Sequence, residues 1–168
     1  DWSITKLKES GLKPYLNELA LDKRIPILGV CVGMQLMAIR SDEGKLNGFG
    51  WVDAEVLKFP KILKDKDIDE HYLESNKSKK FILPHMGWNK IKNAPKENLL
   101  LKGLNNSYFY FLHSYFFKSN NQNINISKTI YGIEFTSAIN YLNFYGVQFH
   151  PEKSHDAGIK LLRNFSSI

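Results

Sequence analysis

The stretch that most constrains this chain is Gly29-Val30-Cys31-Val32-Gly33, which joins an apolar run beginning at Ile25 to a helical pattern beginning at Gly33. A strand that passes into a helix without a loop must turn sharply. Glycines two residues to either side of the turn permit the bend and let the helix pack close against the strand. This is the frame of a nucleophile elbow, with cysteine in the central place. At a helix N-terminus, unpaired N–H groups and the helix dipole favour thiolate over thiol, so Cys31 reads as a nucleophile. A free cysteine is more often a small buried hydrophobe, but a core position has no need of the double-glycine frame.

A cysteine nucleophile needs a base to take its proton and later deliver it to the leaving amine. His150-Pro151-Glu152 follows the apolar run Phe144 to Phe149 and supplies one. Proline biases His150 towards extended backbone, and residues two apart in an extended chain point the same way. Glu152 is therefore placed to accept one ring N–H of His150 and leave the other nitrogen for Cys31.

The remainder of the chain sets bounds. Its 168 residues suit one domain, and 43% hydrophobic with 24% charged residues is ordinary for a globular protein. The formal charge of +6 is scattered along the chain rather than clustered with interleaved aromatics, so nucleic acid is not an expected partner. The longest apolar runs are too short and too polar to span a bilayer, so no membrane association is expected either. A single cysteine permits no internal disulfide, and a reducing cytoplasm is the expected location. Asp42 to Gly50 is glycine-rich without a Gly-Lys-Ser/Thr, which argues against a phosphate cradle. His85, His113 and His150 lack a ligand cluster, so no metal is predicted.

Residues Trp2 to Leu19 carry one amphipathic helical pattern through Ile4, Leu7, Leu12, Leu16 and Leu19. A helix is an odd first element for a parallel α/β sheet, so the domain, 1–168, is expected to be incomplete at its N-terminus. Further along, the patterns predict a central parallel strand over Pro26 to Val30 and a helix from Gly33 to about Ser41. Trp51 to Phe59 reads as a half-exposed strand, and 61–80 as a charged solvated insertion. Phe81 to Ile91 reads as an interrupted strand, Tyr108 to Phe117 as one aromatic strand, and Thr129–Asn140 with Phe144–His150 as a hairpin-like pair.

Together, the elbow Gly-Val-Cys-Val-Gly-Met-Gln, Pro84-His85-Met86-Gly87-Trp88-Asn89, His113-Ser114-Tyr115 and Gln148-Phe149-His150-Pro151-Glu152-Lys153-Ser154 carry a resemblance. In order and spacing they resemble the class I (triad) glutamine amidotransferases, and among them the glutaminase subunit of imidazole glycerol phosphate synthase. The resemblance covers nearly the whole chain. It implies an α/β, three-layer, flavodoxin-like fold lacking its first strand and helix. It implies that Cys31 forms a glutamyl thioester, that His150 is the general acid/base and that Glu152 orients it. Gln35, Glu43 and the backbone of His113, Ser114 and Tyr115 would hold L-glutamine. The N–H of Val32 would be one oxyanion donor; the family's other donor lies in a glycine-rich segment ahead of the first helix, which this sequence does not contain. The implied partner is a (β/α)₈-barrel cyclase that receives the ammonia, with Trp88 near the interface and no cofactor. Three other readings stay open: a paralogue feeding ammonia to another acceptor, as in sugar amidination, a catalytically inactive interaction subunit, and a cysteine hydrolase acting on peptides.

Overall fold

A computed structural model describes residues 1–60, 82–92, 94, 95 and 97–168. In chain order the elements are α1 (Trp2–Glu9), α2 (Leu12–Asn17), a π-helical turn (Glu18–Asp22), β1 (Ile27–Val30), α3 (Val32–Leu36), β2 (Arg40–Ser41) and β3 (Ala54–Lys58). There follow β4 (His85–Lys90), β5 (Tyr108–His113), β6 (Tyr115–Ser119), β7 (Asn125–Tyr131), β8 (Ile133–Tyr141), β9 (Phe144–Val147) and α4 (His155–Phe165). The main sheet runs β1-β9-β8-β6-β3-β2, with β7 also on β8, while β4 and β5 pair separately. Among the described strands, β1–β9 and β2–β3 are parallel and the other pairings antiparallel.

Alternation along the strands feeds two apolar clusters. Neighbouring Ala138 and Ile139 on β8 belong to different ones. One cluster gathers Phe109, Phe111, Phe135 and Phe149 with Leu161 of α4. The other gathers Val52, Val56, Phe117 and Phe144 with Met34 of α3. Helices on separate clusters of one sheet give the three-layer α/β arrangement expected. The alternation read at Trp51 to Phe59 holds, since Val52, Ala54 and Val56 are all buried.

Several elements differ from the sequence expectations. The first helical pattern is two helices, broken where Gly11 takes φ +69°. Of its five apolar positions only Ile4 is buried, and Leu12 and Leu19 are exposed. The helix after the elbow stops at Leu36 because Arg40 and Ser41 are drawn into pairing with β3. Strand β1 is terminal in the sheet order rather than central, and pairs with β9 alone among the described strands. The aromatic run divides at Ser114: β5 pairs with β4, whereas β6 lies in the main sheet. Gly132, at φ +70°, starts the strand expected from Thr129 anew, but the turn at Leu142-Asn143 is where the pattern placed it. Helix α4 had not been anticipated. The charged insertion lies outside the described residues. Among the described residues no helix is long and apolar enough to cross a membrane.

Candidate active site

Parallel pairing of β1 with β9 aligns Val30 with Val147, and the Cys31 N–H donates to the Val147 carbonyl at 2.8 Å. Cys31 and the His150 turn therefore leave the carboxyl ends of adjacent parallel strands, where open α/β sheets form their crevices. Cys31 takes φ 49°, ψ −106°, a costly conformation for a residue with a Cβ and the strained turn that an elbow requires. The two flanking glycines are not equivalent. A Cβ on Gly29 would lie 2.6 Å from the Met34 nitrogen and 2.7 Å from the Gly33 carbonyl carbon, whereas one on Gly33 would meet nothing within 4 Å. Of these two, Gly29 is the one that the close packing of helix on strand requires.

The contact between His150 and Glu152 is present. His150 Nδ1 lies 2.7 Å from a Glu152 carboxylate oxygen. A carboxylate only accepts, so Nδ1 carries the proton and Nε2 of the neutral ring keeps its lone pair. Nε2 is buried and has no hydrogen-bond partner. The turn is tied to β5: His150 N–H donates to the Tyr110 carbonyl at 2.8 Å, and the Ser154 hydroxyl donates to the His150 carbonyl at 2.6 Å. Helix α4 presses on the same turn, so closely that a Cβ on Gly158 would fall 1.8 Å from the Pro151 carbonyl oxygen. The sequence motif includes Ser154 without a role and does not reach Gly158, because their roles exist only once α4 is docked.

The thiol is not pre-ionised. Burial pushes the Cys31 thiol up, with the Glu152 and Glu43 carboxylates adding to it, against the Val32 N–H and the Gln148 amide. A five-residue α3 does not outweigh desolvation, so the thiolate favoured by the sequence pattern gives way to a thiol. Gln148 is a site residue that the sequence reading quoted without a role. It is fully buried, with its amide nitrogen 3.7 Å from Cys31 Sγ and its oxygen accepting from Gln35 Nε2 at 3.1 Å.

The substrate residues implied by resemblance separate into two groups. Val32, Gln35 and Glu43 line one small pocket of about 60 Å³ beside α3. Gln35 is turned inward, its Nε2 also donating to the Tyr115 carbonyl at 3.1 Å. The carbonyls of Ser114 and Tyr115 are engaged within the chain, by the Phe59 N–H at 3.4 Å and by His113 and Gln35. His113 is a buried ring whose Nε2 meets His85 Nδ1 at 2.9 Å. Trp88 is 48% exposed on β4 and stacks on His155 at 5.3 Å, a surface position rather than a core one. No group of three or more metal-binding side chains occurs among the described residues.

The family model for "Glutamine amidotransferase class-I" matches residues 6–167. The chain belongs to this family. This amidotransferase chain is 44% identical to the imidazole glycerol phosphate synthase subunit HisH of Bdellovibrio bacteriovorus, with all of the chain and 76% of the relative aligned. It is 42% identical to the HisH subunit of Methanocaldococcus jannaschii, over 99% of the chain and 72% of the relative. Among solved structures, a glutamine amidotransferase from Thermotoga maritima superposes with a TM-score of 0.53 at 15% identity. The alignment spans 91% of this chain and 52% of that one, and supports the fold alone.

Burial also sets an acid limit on this fold. Desolvation holds His85 down to about 3 and His113 to about 4, from an ordinary 6.5. Below pH 6.5 the unfolded chain binds protons that the folded chain refuses, so stability falls with pH from 6.5 towards 4, by about 1.4 kcal/mol per pH unit for each histidine. Urea midpoints between pH 7 and pH 4.5 should show this slope, and His85→Phe should reduce it by about half. An unchanged slope in that variant would mean that other groups set the acid limit.

Proposed function

We propose that this amidotransferase chain hydrolyses L-glutamine through a Cys31 thioester and delivers ammonia to a cyclase subunit in imidazole glycerol phosphate synthesis. The observation that carries the reading is the strained elbow of Cys31 at the end of β1, beside a His150–Glu152 pair descending from the end of β9. His150 Nε2 takes the thiol proton as Sγ attacks the side-chain amide carbon of glutamine. The tetrahedral oxyanion is met by the Val32 N–H, and such a donor is worth about 10²–10³ in rate. His150 then returns the proton to the departing nitrogen, so that ammonia leaves and a glutamyl thioester remains. Water, deprotonated by His150 Nε2, then attacks the thioester carbon, and the proton passes back to Sγ as glutamate leaves. Glu152 keeps Nδ1 protonated and steadies the imidazolium in each half-reaction. Gln35 and Glu43 border the pocket that would register the amino-acid end of the substrate.

Similarity to HisH subunits supports the histidine-pathway acceptor, and a (β/α)₈-barrel cyclase is the proposed partner. Exposed Trp88 and Met86 on β4 offer apolar area for that contact. Trp88→Ala should weaken binding of the barrel subunit by roughly tenfold or more, while its melting temperature stays close to the parent's. Unchanged affinity in a titration would remove Trp88 from the interface. The test of the whole reading is glutamine hydrolysis by this chain, alone and with the barrel cyclase and its nucleotide ligand. A sharp rise with the liganded barrel is expected, and silence in both conditions would favour an inactive interaction subunit.

A further inference from the structure

Asn89 on β4 and Tyr115 at the start of β6 lie in different sheets, yet one chain of hydrogen bonds joins them. Its direction follows from the end that cannot donate. The Tyr115 carbonyl lies 2.8 Å from His113 Nδ1, so that nitrogen holds the proton and His113 Nε2 is an acceptor. His85 Nδ1, 2.9 Å from this acceptor, must therefore be the donor, which leaves His85 Nε2 to accept. Asn89 supplies the last link: its amide nitrogen lies 3.3 Å from His85 Nε2 and donates to the Ile130 carbonyl at 2.9 Å. Asn89 Oδ1 accepts the Lys90 N–H at 2.7 Å, which leaves no choice of amide orientation. The His85 ring is held flat between Tyr131, 4.0 Å away, and Phe111, 4.8 Å away.

The far end of the chain is bonded to Gln35, which lines the pocket beside α3. The Tyr115 carbonyl that His113 secures also accepts from Gln35 Nε2, which in turn donates to Gln148, whose own amide reaches Cys31 Sγ. Gln35 itself lines the pocket with Val32 and Glu43, so the two hydrogen bonds donated by Nε2 fix an amide of the pocket wall.

We propose that Asn89, His85 and His113 are positioning residues: a one-way hydrogen-bond relay that fixes the Tyr115 carbonyl and, through it, the Gln35 amide that receives the substrate. The proposal rests on the glutaminase reading for its substrate. Neither histidine is a catalytic residue, since neither is asked to touch the reacting atoms. The relay requires both rings neutral with the proton on Nδ1, and a second proton on either ring would set two donors face to face.

The test uses the full chain. Imidazole ¹⁵N spectra should show Nδ1 protonated and Nε2 bare on both His85 and His113 at neutral pH. In glutamine hydrolysis, His113→Phe should raise KM about five- to tenfold, with kcat changed less than about threefold, since one net hydrogen bond is at stake. His113→Asn, which keeps an N–H where Nδ1 stood, should recover most of the KM. Asn89→Leu, at a half-buried site that spares both rings, should raise KM by about two- to threefold. A KM unchanged in His113→Phe, an equal KM in the Phe and Asn variants of His113, or a proton on Nε2 of either ring would overturn the relay. A parent chain that does not hydrolyse glutamine, alone or with the barrel cyclase, would instead overturn the functional reading, and the imidazole spectra would then decide the relay without reference to activity.

Discussion

Cys31→Ala is expected to lower glutamine hydrolysis by about 10⁴–10⁶, the scale on which loss of a triad nucleophile is felt. With the thiol gone, neither the Val32 N–H nor His150 has an attacking atom to serve. The structural cost should stay small. The contacts of the sulfur to the Gln148 amide, at 3.7 Å, and to the Leu112 carbonyl, at 3.8 Å, are long, and alanine retains the Cβ at a φ that the fold already imposes. Binding of the barrel subunit should therefore persist, because nothing on the β4 surface changes. A glutamine-shaped thiol reagent should label the parent chain at Cys31, with protection by glutamine, and should not label the variant. Hydrolysis surviving the substitution would mean that another group is the nucleophile. Because burial holds the thiol up, labelling of the free chain by a simple thiol reagent should be slow at neutral pH and quicken as pH rises.

The second large effect concerns the elbow itself. Gly29→Ala places a methyl group 2.6 Å from one backbone atom and 2.7 Å and 2.8 Å from two others, none of which can move without shifting α3. Overpacking of this kind costs about 1–3 kcal/mol, and more when only backbone can yield. The displaced residue is Cys31, two positions on, so activity should fall by about 10² or more, following the misplacement of a reacting atom. Gly33→Ala should do the reverse for stability. It meets open space inside a helix, where alanine is favoured over glycine by about 0.5–1 kcal/mol. Chemical denaturation of the two variants should show opposite signs, and equal destabilisation would contradict the asymmetry of the elbow.

How much was legible beforehand depended on how local the cause was. The elbow, the His150–Glu152 pair and the burial of Val52, Ala54 and Val56 follow from spacing within a few residues, and all three are present in the structure. The helix boundaries at Gly11 and Leu36 are set by causes that apolar spacing does not carry. At Gly11 it is a left-handed backbone, and beyond Leu36 it is the pull of β3 on Arg40 and Ser41. The division of the aromatic run at Ser114 has the same origin. Ten residues of nearly continuous ring and aliphatic character give no signal of where one sheet ends and the other begins, and the partners β3 and β4 make that choice.

By itself the sequence determined the family and the residues on which the proposed chemistry rests: one cysteine in a glycine frame, a distant His-Pro-Glu, and motifs whose order restricts the fold to α/β. These are properties of neighbouring residues, set by turn sterics and strand period. Tertiary structure alone decided the desolvation of the Cys31 thiol, the unequal weight of the two glycines, the place of Gln148 beside the sulfur and the direction of the Asn89–His85–His113 relay. Each of these depends on which groups from remote segments exclude water from, or offer a lone pair to, a given atom, and such encounters are not encoded in any single stretch of chain.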